Sequence, residues 1–280
     1  MNRVAAIQMA SGPKVPVNLE EAERLINQAV QGGAELVVLP ENFALMGMTE
    51  QDKVEVAEED GSGPMQDFLA RMASTHGIWL VGGTVPIRSP EPGKVYGACL
   101  LYNDQGERVA RYDKIHLFDV HLEDTGESYN ESETILNGDR IVVAETPFGR
   151  LGLAVCYDLR FPELFRGMLE QGVELVALPS AFTALTGKAH WECLIRARAI
   201  ENLIYMIAPG QGGYHVNGRE THGHSMVVDP WGNILNQLKS GSGVVPAEID
   251  LERLRHIRKN FPALEHRRLD CRIIRGANHE

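Results

Sequence analysis

Apolar residues in this chain fall into short continuous runs separated by amphipathic stretches. The first run, Arg3 to Met9 (RVAAIQM), reads as a buried strand. A helix is expected next: Asn18 with Glu21 makes a capping box, and Leu19, Ala22, Leu25, Ile26 and Ala29 give it one apolar face. Gly32 and Gly33 end it, because glycine accepts the left-handed conformation a helix C-terminus often needs. Glu35 to Leu39 (ELVVL) is then a second buried strand, and the βαβ unit so formed implies a parallel sheet.

The same pattern returns in the second half, with a strand at Arg150 to Val155, a helix from about Pro162 to Gln171, and a strand at Glu174 to Leu178. The two helix-to-strand junctions nearly coincide, GGAELVVLPE at 32 to 41 against QGVELVALPS at 171 to 180. A duplicated βαβ unit suggests two similar sheets, each with helices on one face, packed sheet against sheet as an α/β four-layer α-β-β-α sandwich. A single doubly wound sheet would give the same local signals.

Between the repeats lies a helix carrying Phe68, Leu69, Met72 and Ala73, then strands at 78 to 85, 96 to 102 and 107 to 112. After them come a helix at about 188 to 203 and strands near 204 to 209, 224 to 229 and 244 to 249. No Ser/Gly linker or charge block divides the chain, so residues 1–280 are expected to form one domain.

The charge balance narrows the function. A net charge of -11 on 280 residues argues against a nucleic-acid or anionic-membrane surface and favours a small-molecule partner. The opening apolar run is too short for a signal-peptide core or a membrane span. Cys99, Cys156, Cys193 and Cys271 form no Cys-x-x-Cys pair, consistent with thiols kept reduced in the cytoplasm. The Asn130-Glu131-Ser132 sequon is then without consequence.

Reactive groups in α/β sheets collect at the carboxyl ends of strands. Glu41 follows the strand ending at Leu39-Pro40, and Cys156 ends the strand from Leu151 to Val155. A thiol nucleophile needs a base and a cation or amide dipoles that favour thiolate, and Lys114 is a plausible cation. Taken singly, a Cys at a buried strand end is more often an inert small hydrophobe. Spacing does not show that positions 41, 114 and 156 meet. His215, His222 and His224 lack a carboxylate or Cys that would complete a metal site, and His224 reads as structural. Ser225 lacks a Gly-x-Ser-x-Gly elbow, and no dinucleotide or Walker loop occurs, so no cofactor is expected. Arg196, Arg198 and Glu201 read as a solvated or ion-paired helix face, or as part of a subunit contact.

Three segments together resemble the nitrilase (carbon-nitrogen hydrolase) superfamily, in particular its Nit branch of amidases. They are Leu39-Pro40-Glu41-Asn42, the run from Tyr112 to Asp119 (YDKIHLFD), and the run from Val155 to Glu163 (VCYDLRFPE). Further matches at 187–192, 196–201 and 223–232 extend the likeness over most of the chain. The resemblance implies the α-β-β-α fold and a Cys156-Glu41-Lys114 triad, with the backbone N–H of Tyr157 as an oxyanion donor. It also implies a second glutamate after the lysine, Glu131 or, failing that, Glu127. Arg160, Phe182 and Thr183 are the substrate-binding candidates, and a homodimer through the helices near 188–203 and after Pro162 is expected. The expected reaction is cleavage of a small carboxamide to an acid and ammonia without a metal. Within the branch, Pro179 to Thr183 and Gly223 to Asp229 look more like the amidases of deaminated glutathione than the omega-amidases. A catalytically silent binding protein on the same fold is the other class of reading.

Overall fold

The computed structural model describes residues 2–122 and 126–269, with the side chains of Leu122 and Glu127 left out. Cys271 lies outside the described residues. The chain runs through β1 (Asn2–Gln8), α1 (Val15–Gln31), β2 (Leu36–Val38), the short α2 (Asp52–Glu55) and α3 (Pro64–His76). Strands β3 (Trp79–Val81), β4 (Val85–Arg88), β5 (Val95–Tyr102) and β6 (Arg108–Asp113) follow, then the antiparallel pair β7 (Asp119–Leu122) and β8 (Glu127–Asn130). The second half holds β9 (Val143–Thr146), β10 (Gly149–Leu153), α4 (Pro162–Glu170), β11 (Leu175–Ala177), α5 (Ala184–Asn202) and β12 (Tyr205–Ala208). A hairpin of β13 (Gly212–Tyr214) and β14 (Glu220–His222) precedes β15 (Ser225–Val228), β16 (Ile234–Leu238), β17 (Gly243–Ile249) and α6 (Leu251–Asn260).

Two large sheets result, ordered β17-β1-β2-β3-β5-β4 with β6 also on β5, and β16-β15-β12-β11-β10-β9. In each, the three central strands of the repeat are parallel: β1, β2 and β3 in one, β10, β11 and β12 in the other. Successive strand residues point to opposite faces, and the packing follows that alternation. Val4, Ala6, Leu36 and Val38 share one core with Leu151 and Leu153 of the other sheet. Ala5, Ile7, Val37 and Leu39 pack instead with Leu25 and Ile26 of α1 and Phe68 and Met72 of α3. Helices α4 and α5 cover the far side of the second sheet through Phe165, Met168, Trp191 and Ile195. The layers are therefore α-β-β-α, as the repeat implies, and not a single doubly wound sheet.

Several local expectations are corrected. Asn18 does not cap α1, which starts at Val15 with Pro16 in its first turn. The Asn18 amide is buried within the helix, accepting from the Gly12 N–H and donating to the carbonyls of Gly12 and Ala44. Helix α1 ends on Gly32 at φ -77, and the left-handed residue is Gly33 at φ 83. The run 78–85 is not one strand. It breaks at Gly82-Gly83, where Gly83 has φ 52 and packs so closely on Pro40 that a Cβ would overlap the Pro40 carbonyl. Helix α5 begins at Ala184, because the Thr183 hydroxyl accepts from the Thr186 N–H and caps it. Of the readings of Arg198 on α5 the ion-paired one holds, with Glu201 at 2.9 Å, but the side chain is buried and its Nε also donates to the Leu159 carbonyl at 3.0 Å.

Candidate active site

Loops after β2 and β10, the segment following β6, and the β13–β14 hairpin close around one pocket. Its lining includes Glu41, Lys114, Glu131, Cys156, Tyr157, Arg160, Phe182 and Thr183. Each candidate catalytic, oxyanion and substrate-binding residue named from the sequence, apart from Glu127, whose side chain is not described, borders this one space. Glu41 sits just beyond β2, buried, with its carbonyl accepting from Gln211 at 3.0 Å. Lys114 follows β6, and its Nζ lies 2.8 Å from Glu41 Oε1 and 2.8 Å from each carboxylate oxygen of Glu131. Glu131 Oε2 also accepts from the Phe118 N–H at 2.7 Å.

Cys156 differs from the expected strand end. It opens a short 3-10 turn, Cys156–Arg160, and holds φ 47, a left-handed conformation that costs a non-glycine residue free energy. Two anchors hold it there. The Cys156 N–H donates to the Pro179 carbonyl at 2.9 Å, and the wholly buried Asp158 carboxylate accepts from the Val155 N–H at 2.7 Å. Asp158 also accepts from the Tyr112 hydroxyl at 2.7 Å, and its other oxygen lies 2.6 Å from His116 Nδ1, so the Cys156 turn is tied to both flanks of Lys114. The N–H of Tyr157 belongs to the first turn of this helix, where amides have no partner within the helix.

The electrostatics follow from burial. Burial alone would lower Lys114, but Glu131 and then Glu41 outweigh it and hold the ammonium well above its ordinary value. Burial opposes ionisation of Glu131, yet Lys114, Lys53 and the Phe118 amide keep its carboxyl below the ordinary range. Burial and the Glu41 carboxylate push the Cys156 thiol well above its ordinary value, against Lys114 and the backbone at Ala181. These influences favour the protonated thiol, so a nearby base has to take the proton as the sulfur reacts. Among the described residues no group of three or more His, Cys, Asp or Glu side chains is disposed to hold a metal ion.

The sequence profile of the carbon-nitrogen hydrolase family matches residues 3–259. This chain belongs to that family. As a carbon-nitrogen hydrolase it is an enzyme that cleaves an amide C–N bond. The deaminated glutathione amidase of Synechocystis sp. (strain PCC 6803 / GT-S) is 46% identical over 266 residues, 94% of this chain and 97% of its own. The NitFhit protein of C. elegans superposes with a TM-score of 0.89 at 37% identity, covering 95% of this chain and 65% of that longer one. Nit3 of Saccharomyces cerevisiae gives 0.85 at 32%, covering 96% and 97%.

This carbon-nitrogen hydrolase places Arg160 beside the pocket with its guanidinium 5.7 Å from the Tyr157 ring centre and 5.4 Å from that of Phe182. The Thr183 hydroxyl accepts from the Thr186 N–H at the α5 cap and lies 2.8 Å from the Thr186 hydroxyl. Sequence reasoning missed Glu50, Lys53 and Arg219, which also line the pocket. Each stands alone among ordinary surface-type residues, and no motif signals their convergence. It also missed Asp158, although that residue lies inside the quoted Cys156 segment and its neighbours there give no hint of burial.

Proposed function

We propose that this chain hydrolyses the amide of deaminated glutathione through a thioester on Cys156. The observation that carries the reading is the Lys114 ammonium held 2.8 Å from both Glu41 and Glu131 in the pocket that Cys156 borders. The substrate comes from relatives such as the Synechocystis amidase. Cys156 attacks the amide carbon as Glu41 takes the thiol proton, so a C–S bond forms and the carbonyl electrons move onto oxygen. Lys114 and the Tyr157 N–H stabilise that oxyanion, where each such donor supplies roughly 3 kcal/mol in other enzymes. Glu131 fixes the Lys114 ammonium against the reacting carbonyl. Glu41 then gives its proton to the departing nitrogen and the C–N bond breaks. Water, deprotonated by Glu41, attacks the thioester, and the acid leaves as the thiol regains its proton.

One part of the expected reaction changes with this substrate. Neither amide bond of glutathione is a primary carboxamide, so the leaving group is an amine rather than ammonia. We also read the chain as one domain, cytoplasmic and homodimeric. Support for the first is β17 returning to pair with β1, for the second the free thiols Cys99, Cys156 and Cys193, and for the third the exposed Leu185 and Ile200 on α5. A light-scattering mass of one 31.0 kDa chain would refute the dimer.

The mechanism is tested by mixing substrate with variants and weighing the intact protein. Cys156→Ala should gain no acyl adduct. Glu41→Gln keeps the volume but cannot accept a proton at neutral pH, and should lose about 10² to 10⁴ in rate. A folded Glu41→Gln enzyme turning over at close to the parent rate would remove Glu41 as the base.

A further inference from the structure

Glu50 accepts from Lys53 Nζ at 2.8 Å and from Arg219 Nη2 at 2.8 Å, so one carboxylate bridges two cations. All three side chains line the pocket, although Lys53 lies on α2 and Arg219 in the β13–β14 hairpin. The Arg219 guanidinium lies 4.7 Å from the centre of the Tyr129 ring. Fastening the hairpin does not need both cations, since the Asn217 amide already donates to the Gly47 carbonyl at 2.7 Å. Each cation retains donors: the guanidinium has five N–H groups and the ammonium three. Lys53 is also close to the reacting groups, because it borders the smaller cavity shared by Glu41, Lys114 and Glu131. Of the other acids lining the pocket, Glu41 and Glu131 are held by Lys114, with Lys53 also acting on Glu131, and Glu220 is exposed to water, which screens it.

We propose that Lys53 and Arg219, bridged by Glu50, bind the carboxylate on the acyl side of the substrate and so select a deaminated γ-glutamyl group over an intact one. The inference rests on the substrate reading above. In glutathione the γ-glutamyl end carries an ammonium beside its carboxylate; deamination leaves the carboxylate without that compensating charge. The remaining donors of Lys53 and Arg219 attract the carboxylate of the deaminated end and repel the ammonium of the intact one, which is discrimination by a repulsive as well as an attractive contact. Only three carbons separate this carboxylate from the scissile carbonyl. It must therefore meet a cation near the reacting centre, as Lys53 is.

The test compares acyl chains that differ only at the far end. Wild type, Lys53→Gln, Arg219→Gln and Lys53→Arg are assayed on glutaryl- and pentanoyl-cysteinylglycine, on the primary amides glutaramate and pentanamide, and on glutathione against deaminated glutathione. A charged hydrogen bond lost should lower the ratio of kcat/KM for the glutaryl over the pentanoyl compound about tenfold to hundredfold in both Gln variants, with Lys53→Arg recovering most of it. The preference for deaminated over intact glutathione should fall with it. Equal losses on glutaryl and pentanoyl chains would overturn the proposal, because a loosened hairpin harms both alike. Wild type acting on the primary amides but on neither cysteinylglycine compound would refute the substrate reading, and the glutaramate-to-pentanamide ratio would still decide the role of Lys53 and Arg219.

Discussion

Both carboxylate oxygens of Glu131 lie 2.8 Å from the Lys114 ammonium, so this lysine is held by a fork and not by a single contact. A second carboxylate, Glu41, takes another side of the same ammonium. Glu131→Gln keeps an acceptor for the Phe118 N–H but removes the charge that fixes Lys114. Its kcat should fall by about 10² to 10³, the scale of a misplaced oxyanion donor, with a smaller change in KM. Steady-state kinetics on the deaminated substrate measure this, and a parent-like kcat would exclude Glu131 from orienting Lys114.

The proximity of Glu41 gives Cys156 an unusual pairing of reactivities. The Glu41 charge helps hold the thiol protonated, so removing it in Glu41→Gln should lower the thiol pKa even as turnover is lost. Alkylation by iodoacetamide at pH 8 should then run faster in Glu41→Gln than in the parent. Slower alkylation would mean that Glu41 favours thiolate in the resting enzyme.

Gly83 lies against the turn that presents Glu41. At φ 52 it has no room for a Cβ, which would overlap the Pro40 carbonyl. Gly83→Ala should destabilise the fold by about 1–3 kcal/mol, as overpacking does, and lower kcat more than KM by shifting Glu41. Chemical denaturation alongside kinetics checks both parts. An alanine variant of parental stability would show that the Pro40 turn yields easily.

Acid should weaken the fold through two histidines. Burial and the neighbouring His224 bring His222 down from 6.5 to about 4, and burial lowers His215 as well. Both are favoured neutral in the native state, so the unfolded chain binds protons first. Their contribution is complete above about pH 6.5 and fades as pH falls toward about 4 for His222. Melting temperatures between pH 7.5 and 4.5 should decline, and His222→Gln should flatten that decline whatever its stability at neutral pH.

The buried parallel strands are legible in the sequence because both their faces are covered, which leaves continuous apolar runs such as Leu36 to Val38 and Leu175 to Ala177. Glu41, Lys114, Glu131 and Cys156 are legible as motif residues. Their meeting is not, since it depends on two sheets packing face to face. Asn18 misleads because its capping pattern is real, yet Pro16 starts the helix earlier and the amide finds buried partners. Arg198 is ion-paired with Glu201, as one of its readings has it, but its burial against the Leu159 carbonyl depends on a residue 39 positions away and leaves no local mark. Lys53 pairs with Glu50 locally, three residues apart, but Arg219 joins them only once the β13–β14 hairpin stands beside α2.

Strand β17 pairs along its whole length with β1, from Asn2 opposite Ile249 to Gln8 opposite Gly243. During synthesis, therefore, β1 emerges long before β17, and its outer edge stays uncovered until residues 243–249 follow. An uncovered apolar strand edge invites pairing with other chains, and closing so long a loop is slow. Ribosome-bound intermediates that stop short of Gly243 should accordingly depend on chaperones, and release from that dependence should coincide with the appearance of residues 243–249 outside the exit tunnel.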